Sequence, residues 1–252
     1  MKRKIWLSTI FLAAVVTNAQ ADPGQQHAVS RADGPLANVC HLSTQRHSFG
    51  LGGRSYNSSG LLVRGRYVIT AAHNVYSPPY RRLSSLKVAC GQVDAGAAPH
   101  QSVPISRVRV ACGYGWVPRQ RYARDFAVVE LPSQIAGGVE FEIGEESIPT
   151  QVRLAGYPGD NPRNSAMNGE TLHEGAGAVS STNGEFIEYE IATWTGNSGG
   201  PIWTENGAAP RLVGVHVSAY KETGRARRVN KGVADEIGRM IASLQAGADH
   251  CN

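Results

Sequence analysis

The feature that most constrains the fold is a succession of short runs rich in Val, Ile, Leu and Tyr, separated by Gly, Pro, Asn and Ser. It extends through most of the 252 residues. The runs include Gly60 to Val63, Tyr67 to Thr70, Leu86 to Ala89, Val103 to Ala111, Phe126 to Leu131, Gln151 to Ala155, Phe186 to Ile191 and Leu212 to Val217. Runs this short, bounded by turn formers, predict an all-β chain, with its 29 glycines serving turns. One segment breaks the pattern. Val233, Ile237, Met240, Ile241 and Leu244 recur at helical spacing, which predicts a single helix packed on the sheets, with Gly247 as its stop.

The ends of the chain read differently. Lys2, Arg3 and Lys4, an apolar stretch from Ile5 to Val16 and the small-residue site Ala19-Gln20-Ala21 predict a secretory signal over residues 1–21. That stretch is too short for a membrane span of about 20 apolar residues. Residues 22–35 are polar and aperiodic, as a flexible mature terminus or short pro-segment would be. Residues 36–140 and 141–252 then form the two halves of one β unit. Removing residues 1–21 takes away three of the 25 Lys+Arg and no acid, leaving 22 against 20. That balance offers nothing to nucleic acid, and after signal removal no membrane insertion is expected. The cluster Arg225, Arg227, Arg228 and Lys231 reads as a solvated loop or a surface for acidic peptides.

Four cysteines, Cys40, Cys90, Cys112 and Cys251, are all downstream of the signal. Their even number fits disulfides in a secreted or periplasmic protein rather than a zinc site. Sequence leaves three connectivities open. The preferred one pairs Cys90 with Cys112, because the runs ending in them could lie side by side, and so Cys40 with Cys251.

Three local patterns carry chemistry. They are Thr70-Ala71-Ala72-His73, Asp125-Phe126-Ala127-Val128-Val129-Glu130-Leu131, and Thr195-Gly196-Asn197-Ser198-Gly199-Gly200-Pro201. A serine hydroxyl attacks an acyl carbon at neutral pH only if a base removes its proton, and an imidazole suits that task. A buried carboxylate must then hold the imidazole in the useful tautomer. His73, Asp125 and Ser198 supply these three groups, and the N–H groups of Gly196 and Ser198 form an oxyanion hole. The other histidines, His27, His41, His47, His100, His173 and His250, read as surface or loop residues. Neither a metal nor an organic cofactor is implied, and oligomeric state is silent.

With these motifs in this order, the chain resembles the chymotrypsin-like (trypsin fold) serine endopeptidases, most closely their bacterial V8-like, or glutamyl endopeptidase, branch. The resemblance runs from about Gly60 to Leu244. It implies two antiparallel six-stranded β-barrels with the active site between them, a C-terminal α-helix, and cleavage of protein or peptide substrates through an acyl-enzyme. Animal members usually carry a cysteine after the histidine and an aspartate before the serine; here those positions hold Asn74 and Asn197. The missing acid argues against activation by a new amino terminus, and Ala192 argues against specificity for Lys or Arg. In the glutamyl branch a threonine and a histidine read the substrate's acidic side chain, and the matching positions are Thr193 and His216. Two other readings compete. A periplasmic HtrA-type protease would need room for a PDZ domain that the fifty-odd residues after Ser198 do not offer, and a protease-like binding protein would be expected to lack a triad member.

Overall fold

The structure is a computed structural model that describes residues 25–48, 51–76, 85–94, 101–104, 107–116, 121–144, 147–159, 167–205, 207–220, 223–248 and 251. The signal assigned to residues 1–21 lies outside them.

The first sheet contains β2 (Val39–Ser48), β3 (Leu51–Val63), β4 (Tyr67–Thr70), β5 (Ser85–Cys90), β6 (Gln101–Pro104), β7 (Arg109–Cys112) and β8 (Ala127–Glu130). They run antiparallel in the order β6-β5-β2-β3-β4-β8-β7. The edge strands β6 and β7 are consecutive in sequence, separated only by residues 105–108. Five peptide steps reach about 18 Å at most, whereas seven flat strands would place the edges about 29 Å apart. The sheet must therefore curl on itself. The run expected as one strand from Val103 to Ala111 is thus two, and among the described residues this sheet has seven strands.

The second sheet closes. Strands β10 (Gln151–Gly156), β11 (His173–Thr182), β12 (Phe186–Tyr189), β13 (Pro201–Thr204), β14 (Arg211–Tyr220) and β15 (Thr223–Arg228) pair in the cycle β11-β10-β13-β14-β15-β12 and back to β11. Two short strands are added outside this six-stranded barrel. These are β9 (Glu142–Ile143), parallel to β14, and β1 (His27–Ala28), antiparallel to β11. From Gln25 onward, then, the segment expected to be flexible is structured. Its backbone pairs with β11, and just before that strand the Leu172 carbonyl accepts from the Val29 N–H at 2.9 Å.

Alternation along the strands explains why the runs are apolar throughout rather than at every second position. Leu62, Val68 and Val129 point into the first barrel. Their neighbours Leu61, Ile69 and Val128 point the other way, into a core shared with Ala155, Tyr157 and Trp203 of the second half and with the C-terminal helix. Both faces of these strands are buried, so both must be apolar. Helix α1 (Ala72–Val75) is one turn after β4, and α2 (Lys231–Gln245) is the predicted helix. The Asn230 side chain accepts from the Val233 N–H at 3.1 Å, capping α2, and the five residues of its predicted stripe are its buried ones. Gly247, at φ +89°, turns the chain out of the helix as expected.

The disulfides are Cys40–Cys90 and Cys112–Cys251, not Cys90–Cys112 and Cys40–Cys251. The antiparallel register of β2 and β5 sets Cys40 directly opposite Cys90. Because the 103–112 run breaks, Cys112 departs to the far edge of the sheet, where α2 packs on β7 and β8 and delivers Cys251.

The arginine cluster also differs from its reading. Arg225, Arg227 and Arg228 are on β15, not in a loop. Arg227 is buried and donates to the Glu185 carbonyl, Arg228 donates to the Asn183 carbonyl, and Arg225 stacks 3.9 Å over Phe186. Lys231 pairs with Asp235 one turn along α2. These cations are engaged by the protein itself.

Candidate active site

Strand register brings the first two motifs together. Thr70, the last residue of β4, lies opposite Ala127, the first of β8. The residues just beyond those ends, His73 in α1 and Asp125 after a 3-10 turn at Tyr122–Arg124, therefore meet at one rim of the first sheet. Asp125 is fully buried, and its carboxylate accepts twice from His73: the backbone N–H at 2.9 Å and ring Nδ1 at 2.7 Å. A buried carboxylate requires such partners. It has only acceptors to offer, so Nδ1 carries the proton and the lone pair is left on Nε2. The His73 side chain is 31 % exposed, so that edge is open to a reactant.

The third motif belongs to the second barrel, in the loop before β13, and is fastened to the first by backbone and side-chain bonds. The Ser198 carbonyl accepts from the Ser59 N–H at 2.8 Å and from Asn74 Nδ2 at 2.9 Å. Asn74 is the neighbour of His73, and its Nδ2 also donates to Thr70 Oγ1, whose hydroxyl donates to the Ser59 carbonyl at 2.7 Å. Ser59 Oγ donates to the Gly196 carbonyl at 2.7 Å and accepts from the Tyr157 N–H. Ser198 and Asn74, the neighbour of His73, are thus held by the same small network between the two sheets.

Two glycines of this loop cannot be replaced without strain. Gly196 is at φ +97°, where a Cβ would stand 2.1 Å from the Tyr157 carbonyl oxygen. Gly199 is at φ +84°, where a Cβ would stand 2.2 Å from the Ser59 carbonyl oxygen. Among the described residues, the N–H groups of Gly196 and Ser198 have no backbone acceptor, as donors awaiting an oxyanion would be.

His216 lies on β14 and Thr193 in the loop before Ser198. His216 is 2 % exposed, and its imidazole is pushed down to about 3, first by burial and then by the charge of His73. It is therefore neutral in any ordinary buffer. The Tyr189 hydroxyl lies 2.5 Å from His216 Nδ1. Tyr189 is fully buried, and burial holds its phenol well above the usual range, so the hydroxyl keeps its proton. Donating it to Nδ1 leaves the His216 proton on Nε2. Thr193 Oγ1 is buried with no hydrogen-bond partner among the described residues, an atom that calls for one.

Sequence reasoning missed Ser59, Asn74 as a tie, Tyr189 and Gln26. Only Asn74 had a signal, its place beside the motif histidine. It also misplaced two histidines. His41 and His173 are buried on β2 and β11, and burial lowers both imidazoles. His27 is exposed on β1, and the side chains of His47, His100 and His250 lie outside the described residues.

A curled antiparallel sheet and a closed six-stranded barrel, with His73, Asp125 and Ser198 brought to the cleft between them, define a chymotrypsin-type double-barrel framework. Residues 58–215 match the family model of the trypsin-like peptidase domain, and the chain belongs to that family. Among curated proteins it is similar to a glutamyl endopeptidase of Staphylococcus aureus (strain MRSA252), 21 % identical over 208 residues that cover 79 % of this chain and 53 % of the relative. The corresponding protein of strain MW2 is 31 % identical over 122 residues, 48 % of this chain and 33 % of the relative. The chain thus spans about half the length, or less, of the curated relatives it matches. Among solved structures it is similar to a Glu endopeptidase in complex with MPD, with a TM-score of 0.70 at 21 % identity, covering 88 % of this chain and 98 % of the other. The protease Anisep from Arthrobacter nicotinovorans superposes with a TM-score of 0.66 at 19 % identity, covering 84 % and 99 %. These two likenesses establish the fold.

Proposed function

We propose that the protein is an exported serine endopeptidase that hydrolyses peptide bonds through an acyl-enzyme and prefers Glu on the acyl side of the cut. The observation that carries the reading is the fully buried Asp125 holding His73 through two hydrogen bonds, with Ser198 tied to the same turn through Asn74. Ser198 Oγ attacks the carbonyl carbon while His73 Nε2 takes its proton. The oxyanion forms against the N–H groups of Gly196 and Ser198. His73 then returns the proton to the leaving amine, and water repeats the sequence on the ester.

The acidic preference is supported by Thr193 and His216. An unpartnered hydroxyl and an Nε2–H held in place by Tyr189 can both donate to a carboxylate. A neutral donor pair avoids the cost of an unpaired buried cation when the pocket is empty. Export is supported by two disulfides, which persist in oxidising compartments.

The test is mass spectrometry of a mixed protein substrate after incubation with the protein or its Ser198→Ala variant. Cuts clustered after Glu with the protein and absent with the variant are expected. Cuts after other residues would remove the acidic pocket and keep the protease. No cuts from correctly processed protein would favour a binding role.

A further inference from the structure

Gln26 comes from the segment that precedes both sheets, yet it is 5 % exposed and reaches the loop of Ser198. Its Nε2 donates to the Ala192 carbonyl at 2.7 Å and to Asn197 Oδ1 at 3.0 Å. In return Asn197 Nδ2 donates to Gln26 Oε1 at 3.2 Å, closing a reciprocal amide pair. Asn197 is fully buried, and its Oδ1 also accepts from the Trp194 N–H at 3.0 Å. The Asn197 amide thus holds Gln26 and the Trp194 backbone, and Gln26 in turn holds the Ala192 carbonyl, around the residue that immediately precedes Ser198.

The slot for this pair is cut by glycines. A Cβ on Gly175 would stand 2.9 Å from the Gln25 carbonyl oxygen and 3.2 Å from Gln26 Cγ, and one on Gly156 would stand 3.1 Å from Asn197 Nδ2. Pairing of β1 with β11, His27 opposite Glu174 and Ala28 opposite His173, sets the side chain into that slot. Anchoring β1 requires only a side chain that fills space. The polar complement matters to Asn197, whose Nδ2 is otherwise without an acceptor among the described residues. An amide left so would move to find one, carrying the adjoining N–H groups of Gly196 and Ser198 with it.

We propose that Gln26 is a positioning residue that clamps Asn197 and so holds the Gly196-Asn197-Ser198 turn in its reactive shape, making site assembly depend on docking of the first strand. The role rests on the serine-hydrolase reading above. Because the clamp is made by two uncharged side chains, it needs no free α-amino group and no titrating partner.

The test compares full-length protein with Gln26→Met, which fills the slot without hydrogen bonds, and Gln26→Glu. The readouts are the rate at which an organophosphonate labels Ser198, kcat and KM on a chromogenic peptide across pH, and thermal unfolding. Gln26→Met is expected to fold and to unfold only about 2–10 °C below wild type, to be labelled about tenfold more slowly and to lose kcat rather than KM. Gln26→Glu keeps one donor while protonated and has none once ionised. Its activity is therefore expected to fall, relative to wild type, as pH rises through the glutamate titration. Labelling of Gln26→Met at the wild-type rate, a loss confined to KM, or a Gln26→Glu profile parallel to wild type would each overturn the clamp. If Gln26→Met does not fold, the Gln26→Glu profile decides. A folded wild type that is not labelled overturns the serine reading, and the clamp with it.

Discussion

Replacing His216 by Gln is expected to protect the protein against acid. His216 is buried with its Nδ1 facing the Tyr189 hydroxyl, and its imidazole is pushed down to about 3. In the unfolded chain a histidine takes up a proton near 6.5. Between those values the unfolded state holds one more proton than the folded state, so the stability associated with neutral His216 is complete above the upper value. It drains as pH falls and levels off below about 3. At pH 4.5, about two units into this window, the loss is about 3 kcal/mol at roughly 1.4 kcal/mol per unit. Glutamine can still accept from Tyr189 and does not titrate. Urea unfolding in a Ser198→Ala background, which prevents self-digestion, would compare the two proteins at pH 7.5 and pH 4.5. Their difference in stability is expected to move by about 3 kcal/mol in favour of the glutamine variant. His41 and His173, whose imidazoles are also lowered by burial, act in both proteins and cancel. A difference that does not change between the two pH values would refute a neutral, buried His216.

Other outcomes follow from the site and the cross-links. Ser198→Ala should leave folding intact and abolish turnover, and a variant that still cleaves would remove Ser198 as the nucleophile. Asp125→Asn presents an amide to His73 Nδ1 and can favour the wrong tautomer, so kcat should fall on the order of 10⁴-fold; near-normal turnover would separate Asp125 from the mechanism. His216→Ala is expected to reduce kcat/KM for cleavage after Glu more than after uncharged residues, whereas equal losses would take His216 out of recognition. Replacing Cys112 and Cys251 by Ser opens a separation of 139 residues, and replacing Cys40 and Cys90 opens one of 50. Chain entropy assigns these about 5 and about 4 kcal/mol, so urea unfolding should show the larger loss for the first pair.

What could be read from the sequence was local. Helix α2 was legible because its apolar residues are brought together by helical spacing alone, whatever packs against them. The strand runs were legible for a similar reason. His73, Asp125 and Ser198 stood out as candidates because each sits at an element boundary in a short pattern, and the side chains of the first two meet as that pattern suggested. The break in the 103–112 run was marked only by Pro104, which was read through, and the disulfide pairing failed with it, since Cys112 leaves the neighbourhood of Cys90 at that break. His41 and His173 were misplaced because a strand's period assigns a residue to a face without saying whether that face is covered.

The sequence by itself determined the β-rich class, the helix that closes the chain and the three motifs from which a site could be built, because strand period, helix period and short motifs are properties of neighbouring residues. Only the tertiary structure decided which strands lie side by side, which cysteines meet, that Tyr189 orients His216, and that Gln26 reaches Asn197 across 171 positions of sequence. Those outcomes turn on strand order and register. They are set by the burial of both sheet faces and the closure of the barrel, conditions that only the assembled chain satisfies.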